Sequence, residues 1–526
     1  MQYQAPPHVT QHWQLTKPSA SGRRGMVVSQ VKDAADAGVA VLEAGGNAAD
    51  AAVAAALALA TVEPWNCGLG GTGFALIHRA GQPAAEVVDF GPVAPRALDP
   101  GHFKLTGRMK QDLFAWPEVV DDANIHGPLS FAVPSAPAGY ALLHEHFGRM
   151  PLADLFTPAV ALARRGLPAD WFTTLKIANS AAVLRNYAES ARIYLPSGLP
   201  PAAPYQGSPG FLKQGRLADT LARLQQAGMR DFYEGDIASS IAEDARSLGG
   251  VLSAADLRAC AARIMPAQQV PWRGRTLQMA GGLTAAPTLA RVLEQMRDTH
   301  YGAAPDAAWF RGVARAMKSA YAERLAGLGE AEPLAAESCT THLTVCDGEG
   351  TMVSMTTTLL SSMGSRVVLP QSGVLMNNGV MWFDPRPDQP NSLAPGKRPL
   401  TNMCPVILMQ EGKPWIAAGA SGGRRIMAAV FQLLSFVADF GMDPEIAGHQ
   451  PRIDVSDPGH ISADRRLPPE VLSLLSEDGA VDIVDHSVIP VNFACPNLIV
   501  QQPDGTRVGM SDAVSPWSAA VAQAQL

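Results

Sequence analysis

At Cys339 the chain changes its hydrophobic period, and that change limits the fold more than any other feature of the sequence. From Pro137 to about Leu328 the pattern is mainly helical, as in PLADLFTPAVALARRG, RLADTLARLQQAG and AAWFRGVARAMKSAYAERLAGLG. After Cys339 apolar and polar residues alternate. HLTVCDGEGTMVSMTTT reads as two strands joined through Asp347-Gly348-Glu349-Gly350. CPVILMQEGKPWIAAG reads as a second hairpin, and PNLIVQQPDGTRVGMS as a third that turns at Asp504-Gly505. A helix is expected between the last two, from Ile426 to Phe440. Antiparallel hairpins held apart from the helices specify a layered α+β fold.

The start of the chain adds two small-residue helices. Lys32 to Ala44 is expected to be helical, with Gly45-Gly46 as its stop, and Asn47 caps a second helix from Ala48 to about Thr61. Their alanines allow close packing. The run AAVAAALALA, Ala51 to Ala60, is too short and too alanine-rich to cross a bilayer. MQYQAPPHVTQHWQLTKPSASGRRG contains no apolar h-region, so no secretory signal is expected and the cytoplasm is the expected compartment. CGLGGTGFALIHR then turns into a strand, with AAEVVDF as its hairpin partner. Its glycines match GxGxxG but follow a helix and precede a strand. That order is the reverse of what phosphate binding at a helix N-terminus requires, so close backbone approach is the expected reason for them.

Composition excludes several classes. The 526 residues carry a net charge of −7 with no long basic run, which argues against nucleic acid as the main partner. Hydrophobic residues at 47% are too many for a disordered chain. The six cysteines form no CxxC pair and are too sparse for a disulfide scaffold, so reduced thiols are expected. HExxH is absent, and neither a metal site nor a cofactor is expected.

The change of period coincides with a cluster of nucleophiles, Ser338, Cys339, Thr340 and Thr341, and a second hydroxyl run, Thr356 to Thr358, returns on the next strand. Threonine favours β geometry, so hydroxyls at a strand start need no function. A threonine hydroxyl is a weak nucleophile without a base, and no His/Asp pair is recognisable to serve as one. Cleavage of the chain before Thr340 would supply the base from the residue itself. A free α-amine has a pKa of about 7.7–8.0 and accepts a proton near neutrality. The hydroxyl can make that cut by attacking the Cys339 carbonyl, with hydrolysis of the ester that results. The products would be residues 1–339 and 340–526. GASGGRR offers adjacent backbone N–H groups at Gly422 and Gly423, just before a helix, for the oxyanion. His342 is expected to pack rather than act as a base.

Taken together, these segments resemble the γ-glutamyltransferase (γ-glutamyltranspeptidase, glutathione hydrolase) family of N-terminal-nucleophile hydrolases. The carrying residues run from GMVVSQVKDAADAGVAVLEAGGNAADAAVAAALALATVEPWNCGLGGTGF through TTHLTVCDGEGTMVS, SGVLMNN, GKRPLTNMCP and GASGGRRI. The resemblance implies a four-layer αββα sandwich built from two fragments of one precursor, residues 1–339 and 340–526. It implies that these remain together as a heterodimer, which can itself pair. It implies cleavage between Cys339 and Thr340, attack by Thr340 on an amide carbonyl, orientation of that hydroxyl by Thr358, and an oxyanion hole at Gly422 and Gly423.

The substrate positions depart from the family pattern. Pro100 stands where the family has a carboxylate-gripping arginine, with Arg96 nearby, and Leu360 replaces an asparagine. Gly379 replaces a glutamine, and Trp382 replaces the acid that holds the glutamyl α-amino group. Thr401 and Asn402 stand in for a serine pair, and Arg424 for a small polar residue. Gly379, Trp382, Thr401, Asn402, Arg424 and Arg96 are the expected substrate contacts. An acid replaced by a large aromatic keeps the chemistry and weakens the expectation of glutamyl specificity. The expected activity is hydrolysis or transfer of γ-glutamyl or related small acyl groups from amides to water or an amine. A cephalosporin acylase-like amidase is the second reading, and an unprocessed binding protein that kept the fold is the third.

Overall fold

The computed structural model describes residues 15–110, 116–299, 302–328, 339–457, 459–489 and 491–524. Two seven-stranded sheets form its centre. The first runs Ala519–Ala522, Met26–Ser29, Cys339–Cys346, Met352–Leu360, Thr72–His78, Glu86–Phe90 and Arg263–Pro266, every neighbouring pair antiparallel. The second runs Ala20–Gly22, Arg507–Ser511, Cys495–Gln501, Lys413–Ser421, Val406–Gln410, Arg275–Met279 and Gln268–Trp272, again antiparallel throughout. In both sheets, strands from before and after position 340 lie side by side.

The sheets pack face to face and helices cover both outer faces, giving the four-layer αββα sandwich. Strand periodicity sorts the side chains. Met26, Val28, Phe74 and Leu76 enter the cluster between the sheets, whereas Val27, Ala75 and Ile77 enter the core under the outer helices. The Lys32–Glu43 and Ala48–Val62 helices lie on the first sheet. Every residue of Ala48–Val62 is buried, so its alanine content is a packing requirement. Asn47 caps this helix as expected, in a reciprocal capping box with Asp50. The second sheet is covered by Ala286–Gln295, Ala307–Leu328 and Ile426–Ala438.

The glycine loop is a close-approach device. A Cβ on Gly73 would lie 2.3 Å from the Thr356 carbonyl oxygen, and one on Gly70 2.2 Å from that of Leu375. Thr72–His78 and Glu86–Phe90 pair as the hairpin expected from the sequence. The helical reading of residues 137–328 needs one correction. Arg263–Pro266 and Gln268–Trp272 are edge strands, and Arg275–Met279 lies next in from the second of these, joined to it by a turn in which Arg273 and Gly274 have φ of 50° and 79°. Pro266 and Pro271 are tolerated there because an edge strand leaves one row of N–H groups unpaired. No described helix is long and apolar enough to cross a membrane.

Candidate active site

The Cys339–Cys346 strand begins with an irregularity. Cys339 pairs with Leu360 and Thr341 with Thr357, so one step of two residues faces a step of three on the neighbouring strand. Thr340 therefore stands opposite a bulge at Thr358 and Leu359. Leu360 takes up the distortion with φ of 86°, an unusual value for a leucine. The Leu360 N–H donates to the Thr358 hydroxyl at 2.8 Å, and the Thr358 and Thr340 hydroxyl oxygens are 3.2 Å apart. An oxygen that accepts from the backbone is fixed in place. Thr340 is 5% exposed.

Thr340 lies in the wall of a cleft that opens to solvent. Gly422 shares the wall, together with Glu63, Lys176, Arg425 and His486. Gly422 and Gly423 have φ of 139° and 59°, and a Cβ on Gly422 would lie 2.7 Å from the Ala494 Cα. Only glycine turns here without strain, at the point where the Lys413–Ser421 strand gives way to the Ile426–Ala438 helix. A polar chain braces this turn from the first sheet's side. Gln30 donates to the Ser421 hydroxyl, Asn66 donates to Gln30 at 3.3 Å, and the same Asn66 amide donates to Glu63 at 2.6 Å.

Burial pushes the Glu63 carboxyl up to about 7, against the Thr341 and Asn66 side chains and Lys176, which act in the opposite sense. Its second oxygen has no hydrogen-bond partner among the described residues, and the Thr341 hydroxyl lies beside it without a well-aligned bond. At the back of the cleft, burial alone would raise Asp512, but His486 and Arg452 outweigh it and hold this carboxylate below its ordinary range. Arg452 donates to Asp512 at 3.0 Å. His342 is structural, as expected. Burial lowers it to about 3, its Nδ1 lies 2.9 Å from the Thr356 hydroxyl, and its ring packs where a Cβ on Gly419 would fall.

The remaining sequence candidates lie away from this cleft. Trp382 is 3% exposed and joins Leu360, Met381 and Met403 in the cluster between the sheets. Gly379 opens the short Gly379–Trp382 turn, and a Cβ there would lie 2.5 Å from that of Ala132. Thr401 and Asn402 are held by Arg324, whose guanidinium donates to the Thr401 carbonyl at 2.7 Å and the Asn402 side-chain oxygen at 3.2 Å. Arg96 is exposed, with its backbone N–H on Asp256. Arg424 is half-buried, and its carbonyl accepts from Tyr321. Arg425, one residue on, is the arginine that lines the cleft. Sequence reasoning passed over Glu63, Lys176, Arg425 and His486. Only Glu63 left a signal, an acid at the C-terminal end of an apolar helix, where the dipole disfavours it.

Two facing antiparallel sheets between helical layers, with a hydroxyl at a strand start over an open cleft, define the N-terminal-nucleophile hydrolase class. A cephalosporin acylase from Bacillus halodurans has this fold, with a TM-score of 0.84 at 23% identity over 98% of this chain and 99% of that one. A match to the gamma-glutamyltranspeptidase family spans residues 34–339 and 330–522, and the chain belongs to that family. It is 30% identical to the glutathione hydrolase proenzyme of Escherichia coli K12, over 93% of this chain and 90% of that protein. It is also 30% identical to the acylase ACY 1 proenzyme of Pseudomonas sp. strain SE83, over 94% and 92%.

Proposed function

We infer that this chain is a self-processing threonine amidohydrolase or acyltransferase that cleaves small acyl amides, with glutathione hydrolase-like chemistry at Thr340. The observation that carries this reading is the Thr340 hydroxyl in the cleft wall, 3.2 Å from a Thr358 hydroxyl already anchored to the backbone. In the first step the Thr340 oxygen attacks the Cys339 carbonyl carbon. The C–N bond breaks, the nitrogen leaves as the Thr340 amine, and water hydrolyses the ester to give residues 1–339 and 340–526. In turnover that amine accepts the hydroxyl proton as the oxygen attacks a substrate amide. The departing amine takes the proton, and water or an amine acceptor releases the acyl group. Gly422 and Gly423 hold the oxyanion.

Electrophoresis tests the reading directly. The purified 55.4 kDa chain resolves into two bands, and the smaller begins Thr-Thr-His on Edman sequencing. Thr340→Ala leaves one band and lowers turnover at least about 10³-fold. A single uncut band with full activity overturns the proposal.

A second reading concerns the acyl group. Trp382 and Leu360 occupy the positions of a carboxylate and an amide and pack into an apolar cluster. That favours a substrate without a glutamyl α-amino group, in keeping with the acylase relative. Glutaryl anilide turnover then equals or exceeds that of γ-glutamyl anilide. A strong γ-glutamyl preference refutes it.

A further inference from the structure

Lys176 and Arg425 are cations in one cleft that the chemistry above does not use. The Lys176 ammonium sits 5.2 Å from the centre of the Phe172 ring, and Phe172 in turn packs edge-on against Trp65 with centroids 5.7 Å apart. Arg425 spends its guanidinium on two backbone carbonyls, those of Val491 at 2.5 Å and Gly422 at 3.4 Å. Neither side chain makes an ion pair with an acid among the described residues. Asp454 feels the charge of Arg425 but is bonded to the Ser456 hydroxyl. The cleft's own acid, Glu63, feels the charge of Lys176, but burial favours its neutral form. Elsewhere the positions that would bind a carboxylate by resemblance are spent. Thr401 and Asn402 are tied to Arg324, and Arg96 lies on the surface.

We propose that Lys176 and Arg425 form a carboxylate-binding subsite, so that the amide cleaved at Thr340 carries an anion. This rests on the reading of Thr340 as the acylated residue. A half-buried cation in a cleft meets a carboxylate with less competition from water than one on an open surface, and charge-assisted hydrogen bonds are the stronger kind. The two cations fix the charged end of the substrate. The carboxylate can belong to the acyl half or to the amine half of the amide.

Three anilides separate those sources: glutaryl-p-nitroanilide, with the acid on the acyl half; valeryl-3-carboxy-4-nitroanilide, with the acid on the amine half; and neutral valeryl-p-nitroanilide. The wild-type protein prefers one acid-bearing anilide over the neutral one in kcat/KM. Lys176→Gln and Arg425→Gln each reduce that preference about tenfold, through KM rather than kcat, and Lys176→Arg restores it. If the Gln variant loses its melting transition, Lys176→Met, which keeps an apolar stem on Phe172, takes its place. No preference in the wild type, or a preference unchanged in well-folded variants, overturns the subsite. Turnover that survives in Thr340→Ala overturns the catalytic reading instead, so the two failures are distinguishable.

Discussion

The two sides of the Thr340 hairpin differ sharply. On one side is a solvent-open cleft with Glu63, Lys176, Arg425 and His486 in its walls. On the other, Leu360, Met381, Trp382 and Met403 close into a packed apolar cluster. The charged side chains near Thr340 thus lie on the cleft side of the hairpin, and large apolar side chains pack on the other.

The packed side faces the largest effect. Trp382→Ala costs about 4 kcal/mol in urea unfolding, because the rest of the cluster cannot close over so large a void. A cost under about 1 kcal/mol would mean that the side chain is loosely held and the contrast is false.

The charged side is sharpened by pH. Glu63 has a folded-state pKa of about 7, raised above its unfolded value by burial. A raised carboxyl pKa means that the folded state holds the proton more tightly. The Glu63 contribution is thus full below about pH 4.5 and is lost as pH rises through 7. Glu63→Gln removes up to ~3 kcal/mol of that pH dependence, read as the difference between the two stability profiles. Parallel profiles would show that the carboxyl is better solvated than its 3% exposure indicates. The smallest effect is at Thr358. Thr358→Val removes the hydroxyl 3.2 Å from that of Thr340 and lowers kcat about tenfold with little change in KM. A change in KM alone would move Thr358 from orienting the nucleophile to binding substrate.

What could be read from sequence was local. The three hairpins, the Asn47 cap and the close-approach glycines each depend on residues near one another in the chain, and each stands in the structure. The strands from Arg263 to Met279 escaped because they sit within a helical stretch, carry two prolines and turn on Arg273-Gly274 rather than on a common hairpin pair. Thr340 was legible because the change of period marks it. The rest of the cleft was not. Glu63, Lys176 and Arg425 come from separate parts of the chain, and only the stacking of two sheets brings them to one wall. Arg424 drew notice through its position in GASGGRRI, yet the turn at Gly422 and Gly423 presents its neighbour to the cleft.

Strands from either side of position 340 are hydrogen-bonded to one another within both sheets. Met26–Ser29 sits between Ala519–Ala522 and Cys339–Cys346, so it is hydrogen-bonded on both edges to segments that follow the proposed cut. Scission would leave the two pieces zipped together while changing the molecularity of their assembly. The intact precursor reaches this arrangement as one chain, but the matured pair, once melted apart, must find it again by collision. Its thermal midpoint then depends on concentration, and dilution turns unfolding into a one-way event.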